Sequence, residues 1–219
     1  MAELFIELFS EEIPAKLQID AKEKIKQMLE ENLRKKEINF KFSQSFSTPQ
    51  RLVFFLDGIS EQIEQKKKVI KGPKVNAPQI AIEGFIKTNN LKKTDIYKKK
   101  LEKGEFYFAE TKPKIIKILQ ELKSAIPEIL QNYSWKKSMK WSNYDLSWGR
   151  PLKSIIALFN NKVVDFEFFH LKSSNLTSIE GNKGDKIIKV KSYKSYLNIL
   201  KSQNIILDNN KRKDLIIKK

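Results

Sequence analysis

The sequence contains no cysteine and a single histidine, His170, and each shortage excludes a class of chemistry. Without cysteine there are no disulfides, no thiolate nucleophiles and few ways to build a structural zinc site. A serine nucleophile could be paired only with His170, and a site with several histidine ligands is excluded. Because His170 ends an apolar strand pattern, a structural role is favoured over catalysis. The lack of cysteine also fits a reducing compartment, so the expected location is the cytoplasm.

Glycine is scarce as well, with 7 residues, and neither of the two common phosphate-binding glycine loops is present. No apolar run approaches the roughly 20 residues that a membrane span needs. The N-terminal stretch lacks the basic start and apolar core of a signal peptide. These absences predict a soluble protein with no membrane partner, and they leave no catalytic residue and no metal site that the pattern can identify.

Arginine is rare, with 4 Arg against 39 Lys, in a chain whose formal net charge is +17. Each arginine is therefore a candidate for a contact that lysine cannot make, such as a planar bidentate bond to a phosphate or a carboxylate. Residues 1–65 carry 9 basic and 12 acidic side chains, whereas residues 66–219 carry 34 and 14. Such asymmetry predicts a polyanionic partner for the later part. Codon composition is the alternative explanation, since AT-rich codons encode lysine, isoleucine and asparagine.

Periodicity predicts an α+β protein with mixed or antiparallel sheets and packed helices. A strand over residues 4–9, a long helix from Pro14 and strands around residues 40–46 and 51–57 give a β-α-β-β opening. The densest strand pattern, at residues 154–169, contains Asn160-Asn161, which can both take positive φ and so predict a tight hairpin.

The remaining elements follow the same signals. Gly72-Pro73 is expected to break regular structure, and Gly84 to allow close packing in a short helix that starts near residue 78. A second hairpin is predicted at residues 97–110. A helix is predicted from about residue 114, with Pro127 expected to kink it or to restart it.

In the last third, residues 172–185 are expected to be a loop. Strands are predicted at residues 186–190 and 205–207, and helices at residues 193–201 and after Asp208.

Two lobes are predicted, a first over residues 1–150 and the start of a second over residues 151–219. Because the chain ends within a predicted helix, we expect it to be the N-terminal portion of a longer protein.

Basic residues supply the candidate nucleic-acid contacts: Lys66, Lys67, Lys68, Lys71, Lys140, Arg150, Lys183 and Lys186. For the lysine run at 66–71, a solvated strand or loop is the alternative. Glu11 and Glu12 could be paired carboxylates for acid-base or metal chemistry, although acids before a helix are usually dipole partners. The three tryptophans recur every seven residues, which fits a base-stacking platform, but core packing is favoured.

Several stretches together resemble the β-subunit family of bacterial heterotetrameric glycyl-tRNA synthetases. Leu8-Phe9-Ser10-Glu11-Glu12-Ile13-Pro14 resembles the opening G-T-E-E-[LI]-P, Thr48-Pro49-Gln50-Arg51-Leu52 resembles T/A-P-R-R-L, and Lys71-Gly72-Pro73 matches K/R-G-P. Residues 81–85, 139–141 and 148–151 resemble A-x-G-F, M-R-W and F-x-R-P. The motif residues expected to be structural are Glu11, Glu12, Pro14, Arg51, Gly72, Pro73, Trp141, Pro151 and Gly181.

The sequence departs from the family pattern at identifiable positions. Gln50 and Lys140 replace arginine, and the segment that is R-G-H-R-F in the family keeps Gly181 but has Glu180 before it and Asn182-Lys183 after it. If the family residues bind tRNA or stabilise a turn there, that role is in question in this chain.

The resemblance implies an enzyme that attaches glycine to tRNA(Gly) with ATP and Mg²⁺. It places the catalytic site in a separate α subunit of an α2β2 assembly and tRNA recognition in the β subunit. It implies no catalytic residue and no cofactor in this segment, and it relates residues 151–219 to the editing-domain-like module of phenylalanyl-tRNA synthetase β subunits. Two alternatives remain: a scaffold that docks the α subunit without touching RNA, and a freestanding basic RNA-binding module.

Overall fold

The computed structural model describes residues 2–65, 69–101, 104–110, 114–180 and 184–218. The chain folds into two compact units. Unit 1 comprises Met1–Glu61 and Lys117–Lys219, and unit 2 comprises Gln62–Ile116. The predicted boundary after residue 150 differs from this division. The physical reason is that the strand after residue 151 hydrogen bonds directly to the first strand of the chain, which places both in one sheet.

The first segment of unit 1 is a β-α-β-β sequence, as predicted. Its elements are β1 (Ala2–Ser10), α1 (Ala15–Lys35), β2 (Phe42–Thr48) and β3 (Arg51–Ile59). Helix α1 begins directly after Pro14, and its apolar residues at spacings of three and four are buried: Leu17, Ala21, Ile25, Leu29 and Leu33.

Unit 2 contains a small sheet and a helix. Its strands are β4 (Gln62–Gln65), β5 (Val69–Lys74), β6 (Ile96–Leu101), β7 (Gly104–Glu110) and β8 (Lys114–Lys117, whose last residue is assigned to unit 1), and its helix is α2 (Gln79–Thr88). Strands β5, β7 and β6 form an antiparallel sheet in that order, and β4 pairs with β8. The hairpin predicted at residues 97–110 is thereby confirmed.

The last segment returns to unit 1. It contains α3 (Ile118–Asn132), β9 (Leu152–Phe159), β10 (Lys162–Val163), β11 (Glu167–Phe168), β12 (Leu171–Ser174), β13 (Leu176–Ile179), β14 (Lys186–Lys189), α4 (Tyr193–Ser202) and α5 (Asn209–Ile217). The tight turn after β9 is confirmed, with Asn160 and Asn161 at φ 48° and 62°, but the strand that returns along β9 is only Lys162–Val163, and residues 164–166 are not strand.

Several local predictions were wrong. Gly72-Pro73 lies inside β5, at an irregularity in its pairing with β7, rather than ending regular structure. Gly84 has no neighbour close enough to need a glycine. Residues 114–117 are strand, so α3 starts four residues late, and it runs unbroken through Pro127, so the helix does not restart there. The predicted loop at 172–185 contains most of β12 and β13, and residues 205–207 form no strand.

A seven-stranded mixed sheet organises unit 1, with the order β11-β12-β9-β1-β3-β2 and β10 added beside β9. Strand β1 lies between two antiparallel neighbours, β3 and β9, and is buried along almost its whole length. A strand covered on both faces requires a nearly continuous apolar run, which Leu4–Phe9 supplies apart from Glu7. Helix α1 packs against β2, β3 and α3, and α4 buries Tyr196 and Leu200 in a core with Phe5 and Ile156.

Together these elements make an α+β fold of mixed and antiparallel sheets with packed helices, as predicted. Within the described residues, no helix combines the length and apolarity needed to cross a membrane.

Candidate nucleic-acid interface

Four sequence motifs converge at one end of the unit 1 sheet, a region that we call the motif corner (residues 10–13, 49–51, 151–153 and 180). The backbone N–H of Glu11 donates to the carbonyl of Pro151 at 2.9 Å, and the N–H of Ile13 donates to the carbonyl of Pro49 at 2.7 Å. These bonds hold the chain in an extended path up to Pro14, after which α1 begins. The motifs are thus neighbours in space although up to 170 residues separate them in sequence.

Two positions that depart from the family pattern contact each other in this corner. The side-chain amide of Gln50 donates to the carboxylate of Glu180 at 2.5 Å. The ammonium group of Lys153 lies 2.5 Å from Glu180 and 2.7 Å from Glu11. Burial lowers the pKa of Lys153. The hydrogen bonds to the carboxylates of Glu11 and Glu180 raise it by a larger amount, so the pKa is raised overall and Lys153 stays protonated.

Glu11 and Glu12 are exposed and lie outside the first turn of α1, which has no side-chain cap and no acidic residue. They are therefore not acids of the first helical turn, where the interaction with the helix dipole is strongest. Glu11 instead pairs with Lys153. Within the part of the chain that the structure describes, no three His, Cys, Asp or Glu side chains are grouped so as to hold a metal ion.

Behind the motif corner lies a buried polar cluster, which we call the Glu7 cluster (Glu7, Arg51, Thr177 and Tyr196). Both Glu7 and Arg51 are almost completely buried, with 0% and 3% of their side chains exposed, and Arg51 Nε lies 3.2 Å from Glu7 Oε2. Thr177 donates to the other carboxylate oxygen at 2.7 Å, and the Tyr196 hydroxyl donates to Oε2. Both oxygens of this carboxylate thus have partners, as burial demands.

Burial raises the pKa of Glu7, while Arg51, Tyr196 and Thr177 act in the opposite direction. Burial and the neighbouring Glu7 carboxylate raise the pKa of Tyr196 well above its ordinary value. A buried acid with a raised pKa is a common mark of an active site. Here the group is enclosed and each oxygen already accepts a bond from the protein, so the cluster joins β1, β3, β13 and α4 rather than facing a substrate. Sequence reasoning missed Glu7, whose signal was a lone charge inside an apolar strand.

The eight predicted basic contacts are distributed over several elements. Lys71 lies on β5 of unit 2, Lys140 and Arg150 lie in the segment between α3 and β9, and Lys186 begins β14. Lys66, Lys67, Lys68 and Lys183 lie outside the described residues, as does Gly181. Lys140 is exposed and lies 3.7 Å from Asp145. Arg150 is half-buried and donates to the carbonyl of Gly149 at 2.8 Å.

The tryptophans divide between core and surface. Trp135 and Trp148 are buried and meet edge to face, with ring centroids 5.1 Å apart. Trp141 is half-buried beside His170, which in turn stacks on Tyr144 at 3.6 Å. Core packing, the interpretation favoured for all three, holds for the first two. The structural role expected for His170 is consistent with its two aromatic neighbours.

Unit 2 carries a basic region of which the sequence singled out only Lys71. On one side of its sheet, which we call the basic-aromatic face, lysines alternate with aromatic rings: Lys71, Lys74, Tyr97, Lys99, Phe106 and Phe108. Cross-strand register places Lys71 and Tyr97 beside Phe108, and Lys74 and Lys99 beside Phe106, and directly opposite residues share a face. The period-two spacing of Lys99 with Tyr97, and of Phe106 with Phe108, was the available signal.

Side-chain distances within the basic-aromatic face agree with the register. The ammonium group of Lys71 lies 3.7 Å from the centroid of the Phe106 ring, and that of Lys74 lies 5.9 Å from it. Lys99 lies 5.8 Å from the Phe108 centroid, and Tyr97 stacks on Phe108 at 6.1 Å. All three lysines are exposed. The face can therefore offer cations and ring surfaces together.

Comparison with known sequences agrees with the motifs. The family described as "Glycyl-tRNA synthetase beta subunit" matches residues 4–219. The chain belongs to this family. Relatives include the glycine--tRNA ligase beta subunits of Rickettsia typhi and Rickettsia bellii, each 35% identical over 216 residues, and that of Rickettsia prowazekii, 34% identical over the same length.

The similarity covers 99% of this chain but 32% to 33% of each of those relatives. The chain thus spans about a third of the length of the curated relatives that it matches, and the matching part is their N-terminal region. The family resemblance inferred from the short motifs is confirmed.

Proposed function

We propose that this chain acts as part of the β subunit of a glycine–tRNA ligase and helps to hold tRNA(Gly) for a separate catalytic α subunit in an α2β2 assembly. In this assembly the α subunit uses ATP and Mg²⁺ to join glycine to the tRNA, in the cytoplasm. The observation that carries the proposal is the family match, which runs through the described residues of both units. Residues 151–219 would then belong to a module similar to the editing-like domain of phenylalanyl-tRNA synthetase β subunits.

The distribution of charge supports a contact with RNA. Unit 2 has 14 lysines and 6 acidic residues within 55 positions, a net charge of +8, whereas the 164 positions of unit 1 have a net charge of +9. A local excess of cations attracts the phosphate backbone without regard to sequence. Base-specific recognition of tRNA(Gly) would then require further contacts, in this chain or elsewhere in the assembly.

The buried Glu7 cluster supports the motif corner from below. An ion pair with both carboxylate oxygens satisfied joins four elements beneath the motif corner, so the loops at that corner are held by a well-defined core. We expect such a framework in a subunit that positions a large ligand rather than performing chemistry itself.

A salt titration tests the proposal. Fluorescently labelled tRNA(Gly) and an unrelated tRNA are titrated with the 219-residue chain at increasing KCl. If five phosphates are neutralised, the slope of log K against log salt is about −3.5 to −4.5. Arg150→Ala tests whether the half-buried arginine takes part, with circular dichroism to show that the variant is folded.

Opposite results have distinct meanings. Tight association with a purified α subunit of this ligase class, together with weak and salt-insensitive binding of both tRNAs, would support the scaffold alternative. Binding of tRNA(Gly) without any association with the α subunit would support the freestanding module. Size-exclusion chromatography of the mixture gives the second readout.

A further inference from the structure

The basic-aromatic face of unit 2 combines two features that duplex binding does not need together. A surface that holds only a phosphate backbone requires cations, and aromatic rings add nothing to it. A surface that holds unpaired nucleotides uses both, since lysines meet the phosphates while rings stack on the bases. On this face the two alternate along β6 and across to β7.

We infer that the basic-aromatic face is a binding platform for unpaired nucleotides of an RNA strand, with Tyr97 and Phe106 as stacking rings and Lys71, Lys74 and Lys99 as phosphate contacts. The inference rests on the proposed function and deepens it, because it names the part of the RNA that this face takes. A single strand fits because its bases are free to splay out, whereas in a duplex they are enclosed.

Exposure of the rings is consistent with this role. Tyr97 is 42% exposed although it is an aromatic residue paired within a sheet, and Phe106 is half-buried under the side chain of Lys71. A base could replace the lysine stem over the Phe106 ring while the ammonium group moves to the neighbouring phosphate. Phe108, which is buried, supports Tyr97 from below and is not a contact residue.

The opposite side of the same sheet supplies a matched control. Lys98 and Lys100 pair with Tyr107 and Glu105, so they project from the other side of β6, next to Lys99 in sequence and likewise exposed. Lys98→Met and Lys99→Met remove the same charge from adjacent positions of one strand. If RNA binds by nonspecific charge attraction, the two variants should lose the same amount of affinity. If RNA binds at a site on one face, only Lys99→Met should lose affinity.

The experiment uses the full 219-residue chain and a labelled eight-nucleotide single-stranded RNA, with a twelve-base-pair RNA hairpin, tRNA(Gly) and polyphosphate as competitors. We expect Tyr97→Leu and Phe106→Leu each to weaken binding of the single strand about tenfold. Lys99→Met and Lys71→Met should each reduce the salt slope by about 0.7, and Lys98→Met should leave it unchanged. Thermal unfolding of every variant shows which ones remain folded.

The outcomes separate this inference from the proposed function. If the variants of the basic-aromatic face bind tRNA(Gly) and the single strand with the same affinity and salt dependence as the wild-type chain, the platform is wrong and the proposed function stands. The same conclusion follows if Lys98→Met and Lys99→Met behave alike. If polyphosphate competes as well as the single strand does, charge alone accounts for binding and the stacking role is wrong. If no RNA binds even at low salt, both the inference and the RNA-binding part of the proposed function fail.

Discussion

Unit 1 and unit 2 differ in the kind of positive charge that they carry. All 4 arginines of the chain are in unit 1, and each has a partner within it: Arg34 lies 3.6 Å from Glu30, Arg51 pairs with Glu7, Arg150 donates to Gly149, and Arg212 donates to the carbonyl of Ile206 at 3.0 Å. Unit 2 has no arginine and 14 lysines. The guanidinium groups of Arg51, Arg150 and Arg212, which are buried or half-buried, thus serve internal architecture, whereas Arg34 belongs to an exposed pair on α1.

The two units also differ in how many hydrophobic side chains they bury. Among the described residues of unit 2, only Phe108 and Ala109 are buried hydrophobic side chains, while unit 1 contains the rest of the core. A region with so small a core depends more on its surface interactions, and a partner that neutralises its charge stabilises it by mass action. Unit 1 therefore contains most of the hydrophobic core, and unit 2 contains the proposed binding surface.

The largest effect that would test this comparison is expected at Arg51. Arg51→Met removes the partner of a fully buried carboxylate, so it should lower the free energy of unfolding by about 3–5 kcal/mol. Arg34→Met, at an exposed pair on α1, is the matched control and should cost about 1 kcal/mol or less. Urea denaturation measures both. Equal losses would show that the buried arginine has no special role in unit 1.

The pH dependence of the stability of the Arg51→Met variant tests whether the buried carboxylate of Glu7 depends on Arg51. Burial raises the pKa of Glu7 above its ordinary value of 4.5, and loss of the guanidinium raises it further. An acid with a raised pKa in the folded state contributes stability below its unfolded pKa and loses that contribution as the pH rises through the folded pKa. The destabilisation should therefore be smallest near pH 4.5 and grow towards pH 8. A difference that shrinks with rising pH would contradict this account of Glu7.

Two glycines test how closely each unit is packed. A Cβ added at Gly149 in unit 1 would collide with the ring of Trp135, so Gly149→Ala should cost about 1–3 kcal/mol. A Cβ at Gly84 in α2 of unit 2 meets nothing within 4 Å, and Gly84→Ala should stabilise by up to about 1 kcal/mol because alanine favours a helix. Thermal denaturation provides the comparison. The contrast between the units would fail if both variants shifted the midpoint in the same direction.

The smallest effect concerns an ion pair at the surface of unit 1. The hydrogen bond from Lys136, 3.1 Å from Asp20, lowers the pKa of that carboxyl, so its contribution to stability is present above the ordinary value of 3.8 and is lost as the pH falls. Lys136→Met should raise the pKa of Asp20 in an NMR titration and lower the stability at pH 7 only slightly, because solvent screens this pair. Lys137→Met removes the same charge one residue away and should leave Asp20 unchanged.

Local patterns predicted much of the secondary structure. The spacing of Leu17, Ala21 and Ile25 is enough for α1, and two asparagines that tolerate positive φ are enough for the turn after β9, because these features depend on neighbours in sequence. Prediction failed where tertiary packing overrode composition. The polar run at 171–179 forms β12 and β13 because β9 and β14 offer them partners, and α3 passes Pro127 because its buried face holds it.

Some features of the candidate interface could likewise be predicted from the sequence, and others could not. The sequence alone determined the family, since six short motifs stand in order along the chain, and it determined that the later residues are basic. Only the tertiary structure decided that β9 joins β1, that Glu7 meets Arg51, and that Lys99 rather than Lys98 shares a face with Phe106 and Phe108. These are nonlocal pairings and registers, and a one-residue shift of a strand would move every side chain to the other face.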